Sequence, residues 1–349
     1  MRAIVIESAR GRTEVGSALT PVPPADGVVV QVKATGLCRS DWHAWAGHDS
    51  DVTFPHVPGH ELAGIVVETG PEVRDWKPGD RVTVPFVCGC GRCEWCRSGN
   101  AQVCPHQQQP GFTHAGSFAE LVALHAADVN LVRIPDDVDF ATAASLGCRF
   151  ATAFRGLAAR ARVQAGEWVT VIGAGGVGLS AVMIARALGA RVIAVDRNPA
   201  ALALAQELGA EHTIVTGDGV GIDVPAAVVA FTGEGSHVSV DAVGSEQTSA
   251  DAVRSLRRRG RHVQIGLLPA VEGHPRVPMD RVIAWELDLL GSHGMSARDY
   301  PAMLALVEQG ALQPQRLIER TIGLADAAEL LPRFDTAAVA GITIIDPAR

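Results

Sequence analysis

Hydrophobic residues in the first part of the chain occur in short runs separated by proline and glycine, a pattern typical of β-strands. The clearest runs lie in the N-terminal segment, at 27–32 and at 64–68. Residues 73–82 combine turn-forming residues with a following apolar run, which predicts a turn that leads into another strand. We therefore predict a folded-over sheet or a barrel for residues 1–145.

The pattern changes near residue 150, where apolar strands begin to alternate with stretches of helical periodicity. The predicted strands cover residues 168–172, 191–196, 237–241, 262–266 and 287–292, and the two clearest helices cover residues 177–188 and 199–208. Such alternation predicts an α/β fold with a parallel, doubly wound sheet. After residue 293 we predict one helix and a final strand at 341–345, which could pack back on the first part of the chain.

A glycine-rich segment follows the strand at 168–172 and precedes a helix. Gly173, Gly175 and Gly178 fit the pattern G-x-G-x-x-G, and Gly176 and Val177 complete the loop. In a dinucleotide site the first glycine makes a tight turn, the second lets the backbone approach a pyrophosphate, and the third lets the helix pack on the strand. A turn without a ligand is the alternative, which the correct strand and helix context disfavours.

An acidic residue stands where such a site needs one. Asp196 follows Gly178 by 18 residues and ends the next predicted strand, so its carboxylate can accept hydrogen bonds from ribose hydroxyls. It would repel a 2′-phosphate, which favours NAD over NADP, although the neighbouring Arg197 could accommodate that phosphate. A second glycine-spaced stretch, 217–221, has no helix pattern after it, and we predict a surface loop there.

Charge and hydropathy exclude several classes of partner. The net charge of −8 disfavours a nucleic-acid binder, which would normally carry a basic surface. We interpret the basic run 257–261 as the C-terminus of a helix, where cations meet the negative end of the dipole, followed by a turn into a strand. There is no targeting signal and no apolar run of membrane-spanning length, so we expect a cytoplasmic protein without membrane contact.

Four of the seven cysteines form a compact motif within residues 88–104. Cys90, Cys93, Cys96 and Cys104 follow C-x2-C-x2-C-x7-C, and four thiolates can close a tetrahedral zinc shell, which predicts a structural zinc. Reduced thiols without metal and a nucleic-acid zinc ribbon are the alternatives. The density of cysteines disfavours the first, and the acidic chain disfavours the second. Cys88 lies outside the motif and is interpreted as a spare thiol.

Three further residues are candidates for a second, catalytic zinc, which needs three protein ligands and one open position. Cys38 and His60 are ligand types suited to zinc, and Cys148 lies where the β-rich part meets the nucleotide-binding part. Taken singly, each would more often be a buried structural residue. A metal bound from both sides of that boundary would face a nicotinamide docked in the cleft.

These motifs together resemble the zinc-containing medium-chain dehydrogenase/reductase family, whose best-known members are alcohol dehydrogenases. The resemblance runs nearly end to end and includes C-R-S-D-x-H at 38–43 and G-H-E at 59–61. It implies a GroES-like, β-rich catalytic domain formed by residues 1–149 and 293–349. A Rossmann NAD-binding domain of residues 150–292 would interrupt it, with the active-site zinc between the two domains.

The resemblance also implies roles for individual residues. Cys38, His60 and Cys148 correspond to the catalytic zinc ligands, and Glu61 to a carboxylate near the metal that can exchange as a ligand. Asp41 corresponds to the acid that orients His60. The remaining correspondences are Arg39 with the NAD pyrophosphate, Ser40 and His43 with the proton relay, Phe86 with the substrate pocket, and Thr152, Ile265 and Leu267 with the nicotinamide region.

The implied function is hydride transfer between NAD and a small primary or secondary alcohol, with the aldehyde or ketone as substrate in reverse. We hypothesise a zinc-bound alkoxide, formed when the hydroxyl proton of the alcohol leaves through Ser40 and His43. A zinc-free quinone or enoyl reductase and a non-enzymatic dinucleotide-binding protein are the alternatives. Trp42 and Trp45 either narrow the pocket or belong to the core. By family analogy we expect a homo-oligomer, a tetramer rather than a dimer.

Overall fold

The computed structural model describes residues 1–217, 221–268, 276–336 and 340–349. Two large sheets dominate it. The strands of the first sheet are β3 (Val28–Leu37), β4 (Glu61–Thr69), β5 (Arg81–Thr83), β6 (Leu121–Leu124), β7 (Val132–Arg133), β14 (Ile318–Ile322) and β15 (Ile342–Ile345). A separate two-stranded sheet joins β1 (Arg2–Val5) to β2 (Glu14–Ser17).

The first sheet has the order β14-β15-β3-β4-β5-β7, and β6 pairs with β3. In its longest strand, β3, the buried Val30 and Val32 alternate with the more exposed Gln31 and Lys33, as expected where one face packs on a core. The C-terminal β15 runs antiparallel to β3, with Thr343 opposite Leu37. The predicted β-rich texture is thereby confirmed, and the chain end does pack back on the first part.

The second sheet has six parallel strands in the order β10-β9-β8-β11-β12-β13. They are β8 (Trp168–Ile172), β9 (Arg191–Asp196), β10 (His212–Val215), β11 (Ser236–Asp241), β12 (Leu256–Gln264) and β13 (Asp288–Gly291). The parallel, doubly wound prediction is confirmed. The strand order reverses between β8 and β11, and in such sheets ligands bind in the crevice at this point, beyond the carboxyl ends of the strands.

Helices cover both sheets and connect their strands. They are α1 (Arg39–Trp45), α2 (Glu94–Arg97), α3 (Ala127–Asn130), α4 (Phe140–Ser145), α5 (Ala151–Phe154), α6 (Gly176–Ala187), α7 (Pro199–Glu207), α8 (Val224–Thr232), α9 (Glu246–Arg254), α10 (Met279–Trp285), α11 (Tyr300–Glu308) and α12 (Leu324–Leu330). Local signals fix their starts. Before α7, for example, Asn198 accepts a hydrogen bond from the Ala200 N–H at 3.0 Å, and Pro199 occupies the first turn.

The two sheets meet at a continuous helical segment that runs from α4 to residue 160. Two π-helical stretches, Leu146–Phe150 and Arg155–Arg160, flank α5. The Tyr300 hydroxyl donates to the Gly147 carbonyl at 3.2 Å and fixes the first stretch from α11. One apolar core joins side chains of both sheets across this segment. The segment therefore carries Cys148 to the junction of the two sheets.

The C-terminal stretch differs from the prediction of one helix. It forms two, α11 and α12, together with β14 and short 3₁₀ turns. The helix α12 has only seven residues, too few for its period to stand out in the sequence. It forms because Leu324, Ala327 and Ala328 are buried against Ile4, Ile6 and other residues of a small core.

The basic run 257–261 also differs from its prediction. The helix α9 ends at Arg254, and the run lies inside strand β12. Its arginines pair with carboxylates: Arg257 with Glu234, Arg259 with Glu286 and Arg261 with Glu167. The run therefore belongs to surface ion pairs of the strand and its neighbours.

Two further expectations concern surfaces. The glycine-spaced loop predicted at 217–221 lies for the most part outside the described residues. Within the described ranges, each helix is too short or too polar to cross a lipid bilayer.

Candidate active site and metal centres

Four ligand atoms from distant parts of the sequence converge at the junction of the two sheets. Cys38 follows β3 and is the N-cap of α1, His60 directly precedes β4, Glu61 is the first residue of β4, and Cys148 comes from the π-helical turn. One ligand atom from each lies within 4.8 Å of the others. Because Cys38, His60 and Glu61 are buried, their polar groups need partners inside the protein.

Asp41 fixes the orientation of His60. Its Oδ1 lies 2.9 Å from His60 Nδ1, and both side chains are fully buried. The same carboxylate accepts the main-chain N–H groups of Cys38 at 2.8 Å and of Gly59 at 3.2 Å. Burial lowers the pKa of His60, but the charge and hydrogen bond of Asp41 outweigh it, so the pKa is raised.

The second nitrogen of His60 has no partner. Nε2 is buried and makes no hydrogen bond within the described part of the chain. An imidazole whose Nδ1 is held by a carboxylate presents its other nitrogen as a ligand, the arrangement that metal-bound histidines adopt. An orphaned buried atom among two thiols and a carboxylate therefore fits a metal ion.

A hydrogen bond couples the two thiols of this cluster. A hydrogen bond from Cys148 holds the pKa of Cys38 well below the usual thiol value. The same hydrogen bond, together with burial, raises the pKa of Cys148. A buried thiolate next to a second sulfur is stabilised by a divalent cation, and sulfur and imidazole nitrogen are donors that zinc prefers.

Glu61 is held by Arg149, a residue that the sequence analysis did not single out. The Arg149 main-chain N–H and Nε donate to Glu61 Oε1 at 3.1 and 2.9 Å, and Nη2 donates to Oε2. Burial raises the pKa of Glu61, although Arg149 opposes this effect. The only sequence signal was the position of Arg149 directly after Cys148, because no spacing pattern links it to Glu61.

Aromatic rings surround the free face of His60. The ring centroids of Phe86 and Phe112 lie 6.0 and 5.1 Å from that of His60. His293 packs edge-on against Phe86 at 5.1 Å. The sequence analysis named Phe86 alone, because Phe112 and His293 belong to no motif and reach the site only through the fold.

The relay candidates lie on α1. Ser40 Oγ is 3.9 Å from Cys38 Sγ. His43, in the last turn, is half-buried, and its Nδ1 lies 3.0 Å from Nδ1 of the exposed His48. Trp42 packs edge-on against both histidines. Trp45 lies at the margin of a small core and donates from Nε1 to the Gly11 carbonyl at 2.8 Å.

The glycine-rich loop lies at the crevice of the parallel sheet. Gly173 has φ +95°, a backbone conformation that favours glycine. A Cβ on Gly178 would fall 1.6 Å from the Gly173 carbonyl oxygen, so no other residue fits at position 178. A Cβ on Gly175 would meet nothing within 4 Å. Asp196 accepts the Ala174 N–H at 2.5 Å, which places its carboxylate beside the loop.

The other cofactor candidates are distributed around this crevice. Thr152 donates to the Cys148 carbonyl at 2.6 Å. Leu267 lies in the loop after β12 and is 65% exposed. Its backbone lies beside Gly244, in the loop after β11. Ile265 packs on the core near Gly156. Arg39 and Arg197 are exposed.

The four cysteines of the predicted structural site form a second cluster, with ligand atoms within 4.8 Å of one another. Cys93 Sγ lies 3.5 Å from Cys96 Sγ and 3.6 Å from Cys104 Sγ. Hydrogen bonds from main-chain N–H groups, chiefly that of Arg92, lower the pKa of Cys90 to about 6, whereas burial raises that of Cys96 to about 12. A bound cation would offset the repulsion between four neighbouring thiolates, so that all four thiols could be deprotonated.

Cys88 lies outside this cluster. It is buried in the core of the first sheet, and burial raises its pKa to about 12. A thiol with so high a pKa remains protonated and unreactive at neutral pH. Its interpretation as a thiol outside both metal sites agrees with this position.

Comparison with known proteins extends these observations to the whole chain. Residues 24–136 match the family described as the alcohol dehydrogenase GroES-like domain, and residues 176–309 match the zinc-binding dehydrogenase family. An alcohol dehydrogenase from Geobacillus stearothermophilus is 33% identical over 316 residues, 90% of each protein. The chain belongs to the zinc-containing medium-chain alcohol dehydrogenase family.

Solved structures of the family agree with the fold. One described as an NAD-dependent alcohol dehydrogenase is 32% identical, with a TM-score of 0.88 and 99% of each chain covered. A zinc-binding dehydrogenase from Sinorhizobium meliloti 1021, bound to NADP, is 30% identical, with a TM-score of 0.87 and the same coverage. Family membership makes this chain an oxidoreductase, and both of its cysteine-containing clusters fit zinc.

Proposed function

We propose that this chain is a zinc-dependent dehydrogenase that transfers hydride between a small primary or secondary alcohol and NAD. The observation that carries the proposal is the buried cluster of Cys38, His60 and Cys148, with His60 Nε2 unpartnered, at the junction of the two sheets. These three residues would hold the catalytic zinc. When bound, zinc supplies a Lewis acid that lowers the pKa of a hydroxyl group at its open position.

The walls of the site favour a small substrate. Phe86 and Phe112 pack against His60 and His293 packs against Phe86, so these rings would exclude water and leave room for a compact carbon skeleton. Glu61 stays paired with Arg149 unless it exchanges as a ligand, and such an exchange would have to break buried hydrogen bonds.

Ser40 and His43 would carry the alcohol proton to solvent. Ser40 lies beside Cys38, and His43 lies one helical turn further along α1, toward the surface. Burial, with the nearby His48 and Arg39, lowers the pKa of His43, so the imidazole is neutral near pH 7 and can accept a proton.

The cofactor would lie along the crevice beyond β8 and β11. The turn from Gly173 to Gly178 and the N-terminus of α6 would hold its pyrophosphate, assisted by Arg39. Asp196 would accept hydrogen bonds from the adenosine ribose, which favours NAD over NADP, and Arg197 is the residue that could relax this choice. Thr152, Ile265 and Leu267 are proposed to lie near the nicotinamide.

Replacement of a ligand tests the proposal directly. Wild-type protein should contain two zinc ions per chain and form NADH from small alcohols. Cys38→Ser should retain the zinc of the four-cysteine site, lose most of the other and abolish turnover, because one thiolate is missing from the ligand set. Elemental analysis and NADH absorbance measure both quantities.

A matched control uses the buried thiol outside both sites. Cys88→Ala should keep both zinc ions and the wild-type rate. Undiminished turnover in Cys38→Ser would overturn the assignment of the catalytic zinc. A metal-free wild-type protein that reduces quinones or enones would instead support a zinc-free reductase.

The same reasoning extends to domain organisation and assembly. We propose a catalytic domain of residues 1–149 and 293–349 around a nucleotide-binding domain of residues 150–292. Among the described strands, β13 forms one edge of the parallel sheet, and Leu289 on it is 41% exposed. An exposed edge strand favours pairing with a second copy, which supports the proposed homo-oligomer. The preference for a tetramer over a dimer comes from family analogy.

A further inference from the structure

Arg149 has one nitrogen that the zinc-site carboxylate does not use. Its side chain is only 6% exposed, and Nε and Nη2 both donate to Glu61. Within the described part of the chain, Nη1 makes no hydrogen bond. Nη1 is not among the buried polar atoms that lack a partner, so it is accessible from outside the protein, where a ligand can pair with it.

The free nitrogen lies against the start of α6. A Cβ on Gly176, the first residue of that helix, would fall 2.6 Å from Arg149 Cδ and 3.2 Å from Nη1. The helix has 12 residues, and no side chain caps its N-terminus. The first N–H groups of α6 carry partial positive charge. They and the Arg149 guanidinium therefore repel each other unless an anion lies between them.

The neighbouring surface is open to such an anion. A Cβ on Gly175, the residue before Gly176, would have nothing within 4 Å, so the loop there faces free space. Glu61 cannot supply the missing charge at Nη1, because both of its oxygens are bonded to the other side of the guanidinium. Within the described part of the chain no other carboxylate pairs with Arg149, so a bound ligand can supply the anion.

We propose that Arg149 binds the pyrophosphate of the dinucleotide through Nη1, while the rest of its guanidinium holds Glu61. This inference rests on the proposed function, since it assumes that the dinucleotide lies on the loop at Gly173–Gly178. It makes Arg149 a direct link between the cofactor phosphates and the carboxylate beside the catalytic metal. The close packing agrees, because a Cβ on Gly36 would fall 2.9 Å from Arg149 Nη2.

Binding measurements with full-length, zinc-loaded protein test this link. Arg149→Gln alone would leave Glu61 as an unpaired buried charge, so the informative variant is the double replacement Glu61→Gln with Arg149→Gln. Arg149→Lys keeps the charge but loses the bidentate pairing with Glu61. Affinities for NADH and for ADP-ribose, which carries the pyrophosphate but no nicotinamide, are measured by fluorescence and calorimetry. Zinc content and circular dichroism report whether the sites and the fold remain intact.

The double variant should have lower affinity than the wild type for both NADH and ADP-ribose. The two affinities should fall by the same factor, about tenfold or more, as expected for loss of a charge-assisted hydrogen bond. Glu61→Gln alone keeps the Arg149 cation and removes the competing carboxylate, so it should bind both at least as tightly as the wild type, and the affinity of Arg149→Lys should lie between those of the wild type and the double variant. Arg186→Gln, at the far end of α6, is the matched control for loss of one positive charge, and its affinity should not change.

Two results would overturn the inference. If the double variant keeps two zinc ions and wild-type affinity for ADP-ribose, Arg149 serves only as the partner of Glu61. If the affinity for NADH falls and the affinity for ADP-ribose does not, the effect lies at the nicotinamide and not at the pyrophosphate. A wild-type protein that binds neither NADH nor NADPH overturns the proposed function together with this inference, whereas the first two results leave that function intact.

Discussion

At the scale of single residues, Asp41 organises the candidate zinc site more than any ligand does. One carboxylate joins the main chain before α1, the main chain before β4 and the ring of His60. Because these contacts are buried, they hold the imidazole in one tautomer and direct Nε2 at the two sulfurs. The protein's own hydrogen bonds therefore orient His60 within the ligand set.

His43 provides a prediction at this scale. Its pKa lies below the usual value because of burial, His48 and Arg39, although Cys38 and Asp49 oppose the shift. The neutral, proton-accepting form exists above the pKa, so alcohol oxidation should fall only as the pH drops through a value below about 6.5. A pH profile of kcat/KM measures this limb.

His43→Gln should remove that limb and lower kcat/KM by about 100-fold, the lower end of the usual general acid–base contribution. His106→Gln, a replacement at an exposed histidine, is the control and should keep the wild-type profile. An unchanged profile in His43→Gln would show that the proton leaves by another route.

At the scale of elements, the turn between β8 and α6 shows why the glycine pattern exists. The helix starts so close to the strand that the Gly178 Cα faces the Gly173 carbonyl with no room for a side chain. This close approach aims the N-terminus of α6 out of the sheet, beyond the carboxyl end of β8. Backbone geometry therefore sets the shape of the loop.

Two alanine replacements separate packing from binding in this turn. Gly178→Ala forces a Cβ into the Gly173 carbonyl and should destabilise the protein by about 1–3 kcal/mol, with loss of NADH binding. Gly175→Ala places its Cβ in open space, so stability should stay near that of the wild type while NADH binding weakens. Urea unfolding and NADH fluorescence measure the two effects. Equal stability of the two variants would contradict this account.

At the scale of the whole molecule, one apolar core connects the two sheets. Side chains from β3 and β4 share it with α6, the strands of the parallel sheet and Tyr300 of α11. The segment 146–160 runs through this core and carries Cys148, Arg149 and Thr152. The candidate metal site therefore lies where the relative placement of the two sheets is set by packing.

Assembly provides the prediction at this scale. Light scattering should give a mass about four times the 36.5 kDa of one chain, as family analogy implies for a tetramer. Among the described strands, β13 is a free sheet edge and would supply one of the interfaces. Leu289→Asp places a charge on that edge and should shift the protein toward smaller species. A monomeric wild-type protein would contradict the proposed tetramer.

The local elements and their order could be predicted from the sequence, because they depend on neighbouring residues. Apolar runs and turn residues predicted the β-rich part, strand–helix alternation predicted the parallel sheet, and close spacing predicted the four-cysteine cluster. Short elements such as α12 were not predicted, because seven residues carry too little periodic signal and the helix depends on packing. The arginines at 257–261 were misplaced because their strand forms through long-range pairing.

The sequence by itself determined which residue types are available for zinc and a dinucleotide, since spacing encodes contacts between near neighbours. Only the tertiary structure decided which distant residues meet. Arg149 pairs with Glu61, Phe112 reaches His60, and Gly176 faces Arg149 across large separations in sequence. These contacts arise from the packing of two sheets about one core, and no local pattern along the chain records that packing.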